Sequence, residues 1–290
     1  MNKYKSGHNI VMPNEYESSL ANVIFPHVTQ KQLAFADLRD SIKNWRIWLL
    51  LAYQDIKLRY RRSILGPFWI TLSMAITVYS MGYLYSYLFR MPIREYFPYL
   101  VAGMLAWSLI STTITDLVDT FTNAGNMLKQ IKLPYSLYIH RIIARNMLIF
   151  FHNIFVIVPV LIIFSVKLNL NFLLLIPGLF IIYFNAMTFG IILAMIGARY
   201  RDISQIIKSL IVVVFFITPI MWKPSILSPN KQLIISLNPF YALVELIRAP
   251  LNGYLPSTMN IMMVSMLTLT GLIVSYVVFT SRRTRIIYWL

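Results

Sequence analysis

Five hydroxyl-bearing side chains recur at helical spacing along one stretch of this chain. With residues 68–89 wound as a helix, Ser73, Thr77, Ser80, Tyr83 and Tyr87 fall within about 120° of arc. Hydroxyls facing lipid cost free energy, so such a stripe belongs against protein or along a water-filled path. Aromatic faces stack on the apolar face of a pyranose, and hydroxyls exchange hydrogen bonds with it. The stripe therefore reads as a wall along which a sugar chain can slide. The alternative is helix–helix packing, with Ser and Thr bonded to backbone carbonyls. Phe215 and Phe216, with Trp222 just beyond, are further candidates of this kind, while Tyr79 and Tyr85 lie off the stripe.

Covalent chemistry finds little support. There is no cysteine, so no thiolate nucleophile and no Cys-based metal site. His8, His27, His140 and His152 are scattered, without an HExxH pair, and His152 reads as a packed residue. No GxxxxGK[ST] loop is present to hold ATP. The apolar stretches carry no central Lys, Arg, Asp or Glu, the usual relay of an ion-coupled transporter. No cofactor is expected in this chain, and if it works uphill the engine is another chain.

The elements that position the stripe are membrane elements. The chain is 58% apolar and 12% charged over 290 residues, against roughly 25% charged in a soluble domain. Residues 68–89 are 22 uncharged residues, about 33 Å of helix, which matches the bilayer hydrocarbon. Further apolar runs follow at about 97–118, 146–166, 172–196, 206–221 and 261–279. The expected fold is an all-α integral membrane protein with six transmembrane helices. A net charge of +16 raises nucleic acid as a partner, but the bases sit between apolar runs, not in one patch. Twenty of the 26 Lys and Arg residues fall on one side of a six-span topology, which places both termini in the cytoplasm. Residues 1–40 form a cytoplasmic tail. Glu15, Glu17, Pro13 and Pro26 argue against a cleaved signal peptide there.

Before the first span, residues 41–62 form an amphipathic helix. Ile42, Trp45, Trp48, Leu49, Ala52 and Ile56 share one face; Lys43, Arg46, Gln54, Lys57 and Arg61 oppose them. That is the profile of a helix in the membrane interface, or of one packed on a soluble partner. Gly66 and Pro67 then make the bend, Pro67 being able to start the next helix. In the 119–145 connection, residues 123–133 form a short helix ended by Pro134. Met127, Leu128 and Ile131 offer an apolar edge, and Lys129 and Lys132 offer charge. Asp202 follows Arg199 and Arg201 and can hold either by an ion pair, or else the group serves only as a topological stop. Between spans five and six, residues 223–260 hold apolar pieces cut by five prolines, which read as short re-entrant helices.

Four stretches carry a resemblance. They are Trp48 to Trp69 (WLLLAYQDIKLRYRRSILGPFW), Asn126 to Pro134 (NMLKQIKLP), Arg199 to Ile203 (RYRDI), and Asn238, Pro239 and Phe240. From about residue 35 onward the sequence resembles the ABC-2 type permeases that export O-antigen and related lipid-linked polysaccharides. The resemblance implies a homodimeric channel with two copies of a separate nucleotide-binding ATPase, which holds ATP and Mg. It implies that 41–62 is a gate helix and 123–133 a coupling helix inserted into the ATPase.

The implied cargo is a glycan on undecaprenyl diphosphate, in the bacterial inner membrane. Lys57, Arg59, Arg61 and Arg62 would then meet the diphosphate where it enters, Arg being suited to bidentate phosphate contact. Capsular polysaccharide or teichoic-acid export shares this pattern. A small-amphiphile or drug exporter of the same superfamily and a non-transporting membrane scaffold are the other readings.

Overall fold

The computed structural model describes residues 29–66, 68–166 and 169–290. Residues 1–28 of the expected 1–40 tail and the turn role of Pro67 lie outside the described residues, while from Gln30 onward that segment is helical. Among the described residues the regular elements are all helices. Helix α1 (Gln30–Lys43) opens on a capping box between Thr29 and Gln32. Asn44 breaks it from α2 (Trp45–Arg59), so the expected single amphipathic helix is two. After a turn come α3 (Phe68–Leu88) and α4 (Ile93–Val118). The short helices α5 (Thr120–Asn123) and α6 (Gly125–Gln130) follow. Helix α7 (Tyr135–Asn153) passes through a 3₁₀ turn into α8 (Ile157–Ile163), and α9 (Leu175–Arg199) precedes α10 (Asp202–Ile217). Helices α11 (Pro229–Ser236) and α12 (Pro239–Leu251) lead to α13 (Thr258–Arg282) and the final turn, α14 (Ile286–Trp289).

Among the described residues, four helices are long and apolar enough to cross a membrane: Ile93–Val118, Tyr135–Ile163, Leu170–Arg199 and Thr258–Trp289. The protein is an all-α, multi-pass membrane protein, and the expected six transmembrane helices are corrected to four. Helix α3 has 21 residues, but nine of them carry hydroxyls, from Thr71 to Tyr87, and these offset its apolar side chains. Helix α10 has only 16 residues and carries Asp202 and Lys208; about 20 apolar residues are needed to span. The re-entrant helices expected between spans five and six fall with that count. Nine of the thirteen residues of α12 are buried, so it is a core helix of the bundle.

Two apolar cores hold the bundle. One gathers Val101, Leu105, Ile110, Ile182 and Ile247 where α4, α9 and α12 meet. The other gathers Leu117, Phe121, Ile139, Ile191 and Phe279 toward the end that carries α5 and α6. Between α4 and α9 the backbones nearly touch. A Cβ on Gly197 would stand 2.0 Å from the carbonyl oxygen of Val118, which only glycine permits.

Candidate functional site

The hydroxyl stripe lies on the outer side of α3. Ser73, Thr77, Ser80, Tyr83 and Tyr87 are all exposed, while Thr71, Val78, Gly82 and Ser86 form the packed side. The off-stripe hydroxyls turn inward. Tyr79 donates to the Val156 carbonyl at 2.5 Å, and Thr71 donates to that of His152 at 3.0 Å. Tyr83 and Tyr87 stand edge to face, ring centres 5.0 Å apart. Thr77 donates to the Ser73 carbonyl at 2.9 Å, so part of the stripe's hydrogen bonding is satisfied along its own helix. Phe216 is 67% exposed, whereas Phe215 packs on Trp107 with ring centres 5.8 Å apart.

The basic run ends α2. Lys57, Arg59, Arg61 and Arg62 are all exposed. Arg62 takes a left-handed φ of 70° and Gly66 one of 54° in the turn ahead of α3. Glycine adopts that conformation without penalty, and arginine does not. The other face of α2 packs inward. Ala52 and Ile56 are buried, and the Trp48 indole stacks on His140 at 5.4 Å.

Residues 123–133 are not one helix. Asn123 ends α5, α6 covers Gly125–Gln130, and Ile131 is extended. Leu128 is buried in the chain's own core, which seats α6. Lys129, Ile131 and Lys132 are exposed and Met127 half-buried. Lys129 donates to the Leu290 carbonyl at 3.0 Å, joining α6 to the last residues. Arg199 lies over the rings of Tyr200, at 4.9 Å, and Trp289, at 5.7 Å. Neither Arg199 nor Arg201 is in ion-pair reach of Asp202 among the described residues. A cleft of about 190 Å³ sits here, lined by Asn126, Lys129, Arg201 and Trp289.

Three polar assemblies escape the sequence reading. The first couples α2 to the bundle. Arg141 grips both oxygens of Asp55, at 2.9 and 2.6 Å. Arg145 reaches Asp55 at 3.7 Å and Asp116 at 2.7 Å, and Asn146 adds a 2.9 Å bond to Asp116. The expectation put Arg141 and Arg145 in a loop; they lie inside α7, one turn apart on one face. That i, i+4 spacing was the available signal.

The second assembly centres on Asp37, whose side chain is wholly buried. Its oxygens accept from the backbone N–H groups of Tyr135 and Ser136 at 2.9 Å each, and from the Ser136 hydroxyl at 2.6 Å. A carboxylate from α1 thus caps the N-terminus of α7, where the exposed N–H groups favour negative charge. Arg283 from the far end of the chain closes on the same carboxylate at 2.8 Å.

The third assembly pins the bend after α10. Arg248, 1% exposed, pairs with Glu245 and donates to the Pro219 carbonyl at 2.7 Å. Tyr99 lies under its guanidinium at 4.0 Å and donates to the carbonyls of Pro219 and Trp222, both at 3.0 Å. Tyr96 donates to that of Met221 at 2.5 Å. Burial acts to lower the basicity of Arg248, but Glu245 beside it outweighs that and holds the guanidinium firmly charged. Burial also pushes the neighbouring Tyr241 phenol up to about 12.

Among the described residues, no group of three or more His, Asp or Glu side chains is placed to hold a metal ion. The sequence pattern of the ABC-2 type transporter family matches residues 46–252, from α2 to the end of α12.

This chain belongs to the ABC-2 type transporter family.

The ABC-2 permease is similar to curated relatives of one kind. The O-antigen export system permease protein RfbA of Klebsiella pneumoniae is 25% identical over 231 residues, covering 79% of this chain and 88% of that protein. A protein of the same name from Myxococcus xanthus is 23% identical over 242 residues, covering 80% and 91%. The permease is thus related to the O-antigen export family. The matched region contains the hydroxyl stripe, the Asp55 network and the Arg248 clamp.

Proposed function

We propose that this permease is the membrane half of an ATP-driven exporter that moves an undecaprenyl-diphosphate-linked polysaccharide of the O-antigen class across the bacterial inner membrane. The observation that carries this reading is the outer face of α3. Five hydroxyl side chains, two of them paired tyrosines, stand exposed together on one side of a helix in a membrane protein. In a homodimer two such faces line a path with the stacking and hydrogen-bonding surface that a glycan uses, and Phe216 borders it. The names of the relatives support the same cargo class.

The remaining residues take roles around that path. Lys57, Arg59, Arg61 and Arg62 receive the lipid diphosphate at the cytoplasmic leaflet. Met127, Lys129, Ile131 and Lys132 meet one of two ATPase subunits, with Leu128 anchoring the short helix behind them. ATP and Mg belong to that partner. Motion there passes through Arg141 and Asp55 to α2, and through Arg145 and Asp116 to α4. Asp37, Arg283 and Lys129 gather α1, α6 and the final turn at one end of the bundle. In cells lacking this permease the lipid-linked glycan should remain inside, reachable by a glycan-binding probe only after permeabilisation. Undiminished surface glycan would refute the proposal.

A further inference from the structure

Helix α10 is held unequally at its two ends. The bend that follows it, Thr218 to Trp222, is pinned from two other elements. Tyr96 and Tyr99 of α4 donate to the carbonyls of Pro219, Met221 and Trp222. Arg248 of α12 adds a second bond to that of Pro219. Asn238, the cap of α12, donates to Thr218 Oγ1 at 3.1 Å. Thr218 and Ile220 are fully buried. Just inside the bend, Phe215 packs on Trp107. Moving this segment would strand several buried carbonyls at once, which is costly.

The first half of α10 has a single tether. Lys208 Nζ donates to Asp119 Oδ2 at 2.7 Å. Among the described residues this is the one side-chain hydrogen bond or ion pair from α10 to another helix. The two side chains are 45% and 25% exposed. Water screens such a pair, so it forms and releases readily. Apolar contact adds little, Ile211 being the one buried residue of α10. On the inward side a groove of about 440 Å³ parts α10 from α4 and α9. Ile207 and Leu210 of α10 line it, with Ile114 of α4 and Phe189 and Leu193 of α9. Packed helices interdigitate without such gaps. Apolar walls on both sides favour closure.

We propose that α10 is a hinged helix latched by Lys208 on Asp119. It turns about the pinned bend at Thr218 to Trp222, as hinges at element ends do. The latch holds its first half away from α4 and α9, and release lets that half close on the groove. Asp119 joins α4 to α5, so a displacement of α5 and α6 reaches α10 through it. That last link rests on the proposed function, which gives α6 to the ATPase; the hinge and its latch do not.

The chain has no cysteine, so an introduced pair reports cleanly. Leu193→Cys combined with Leu210→Cys puts one thiol on each wall of the groove. The test oxidises this pair with copper phenanthroline in the full-length permease in lipid nanodiscs. Closure is read as loss of both thiols to a maleimide-polyethylene glycol tag without linkage of two chains. Adding Lys208→Met, or Asp119→Asn, should speed that loss about two- to fivefold, the worth of one exposed ion pair. Equal rates with and without the latch would overturn the proposal. So would a product of two linked chains, which would put a second copy in the groove. In the complex with its ATPase, ATP should change the rate when Lys208 is present and not in Lys208→Met. An ATP effect that survives Lys208→Met would overturn the link through Asp119. If no ATPase binds, the proposed function falls, while the first comparison still decides the hinge.

Discussion

Arg141 forks both carboxylate oxygens of Asp55, joining the helix that carries the basic run to the apolar stretch formed by α7 and α8. The bidentate geometry fixes an angle as well as a distance. Arg145 extends the contact to Asp116 on α4. A rigid chain of charge-assisted bonds therefore runs from α2 to α4 by way of α7.

Asp55→Asn should break that chain. Two partly buried guanidinium groups lose a charged partner, and we expect a stability loss of about 1–3 kcal/mol, measured by thermal unfolding in lipid. If the network transmits motion, ATPase activity of the complex should also cease to respond to cargo. A variant that loses stability and keeps the full response would limit Asp55 to a structural role.

Asp37→Ala removes the cap of α7 and leaves Arg283 unpaired. Loss of a buried charge partner costs about 3–5 kcal/mol. Arg283 is partly exposed, so we expect the lower end. Helix α1 should come free, and limited proteolysis should cut between residues 29 and 45 much faster than in the parent. Unchanged cleavage there would show that α1 is held by other contacts.

Gly197→Ala forces a methyl into the Val118 carbonyl, a contact no rotamer relieves. The helices α4 and α9 must separate, at a cost of about 1–3 kcal/mol, read as a lowered unfolding temperature. The same change at Gly125, where no atom lies within 4 Å, should be harmless to packing. Equal effects at the two sites would contradict the packing described.

The Arg248 clamp separates pair energy from burial. Arg248→Met alone strands Glu245 and should cost about 3–5 kcal/mol. Glu245→Met combined with Arg248→Met leaves no buried charge and should recover most of that loss. A double variant as unstable as the single one would mean that the bond to the Pro219 carbonyl, not the ion pair, is what matters.

Much of the membrane fold is legible in the sequence, and its failures have identifiable causes. Helix content and the grouping of five hydroxyls on one side of α3 follow from period and residue type, whereas the break expected after Arg62 comes earlier, α2 ending at Arg59. The span count does not. Nine hydroxyls in α3 and the 16 residues of α10 leave both short of what a bilayer requires. Segment composition also misplaced Arg141 and Arg145, because charges read as loop markers when their partners are distant in sequence. Asp55 lies 86 positions from Arg141, and Asp37 lies 246 from Arg283. Such pairings exist only once the helices are packed.

In the proposed function a lipid-linked glycan travels along the outer face of α3, driven by a separate ATPase. Its most direct test is the ATPase rate of the permease co-purified with that subunit in lipid, with and without undecaprenyl-diphosphate-linked glycan. Stimulation by the glycan lipid is expected. Tyr83→Ala combined with Tyr87→Ala should abolish it while stability stays within about 0.5 kcal/mol, as for exposed substitutions. Full stimulation in that variant, or a complex that answers to small amphiphiles and ignores the glycan, would contradict it.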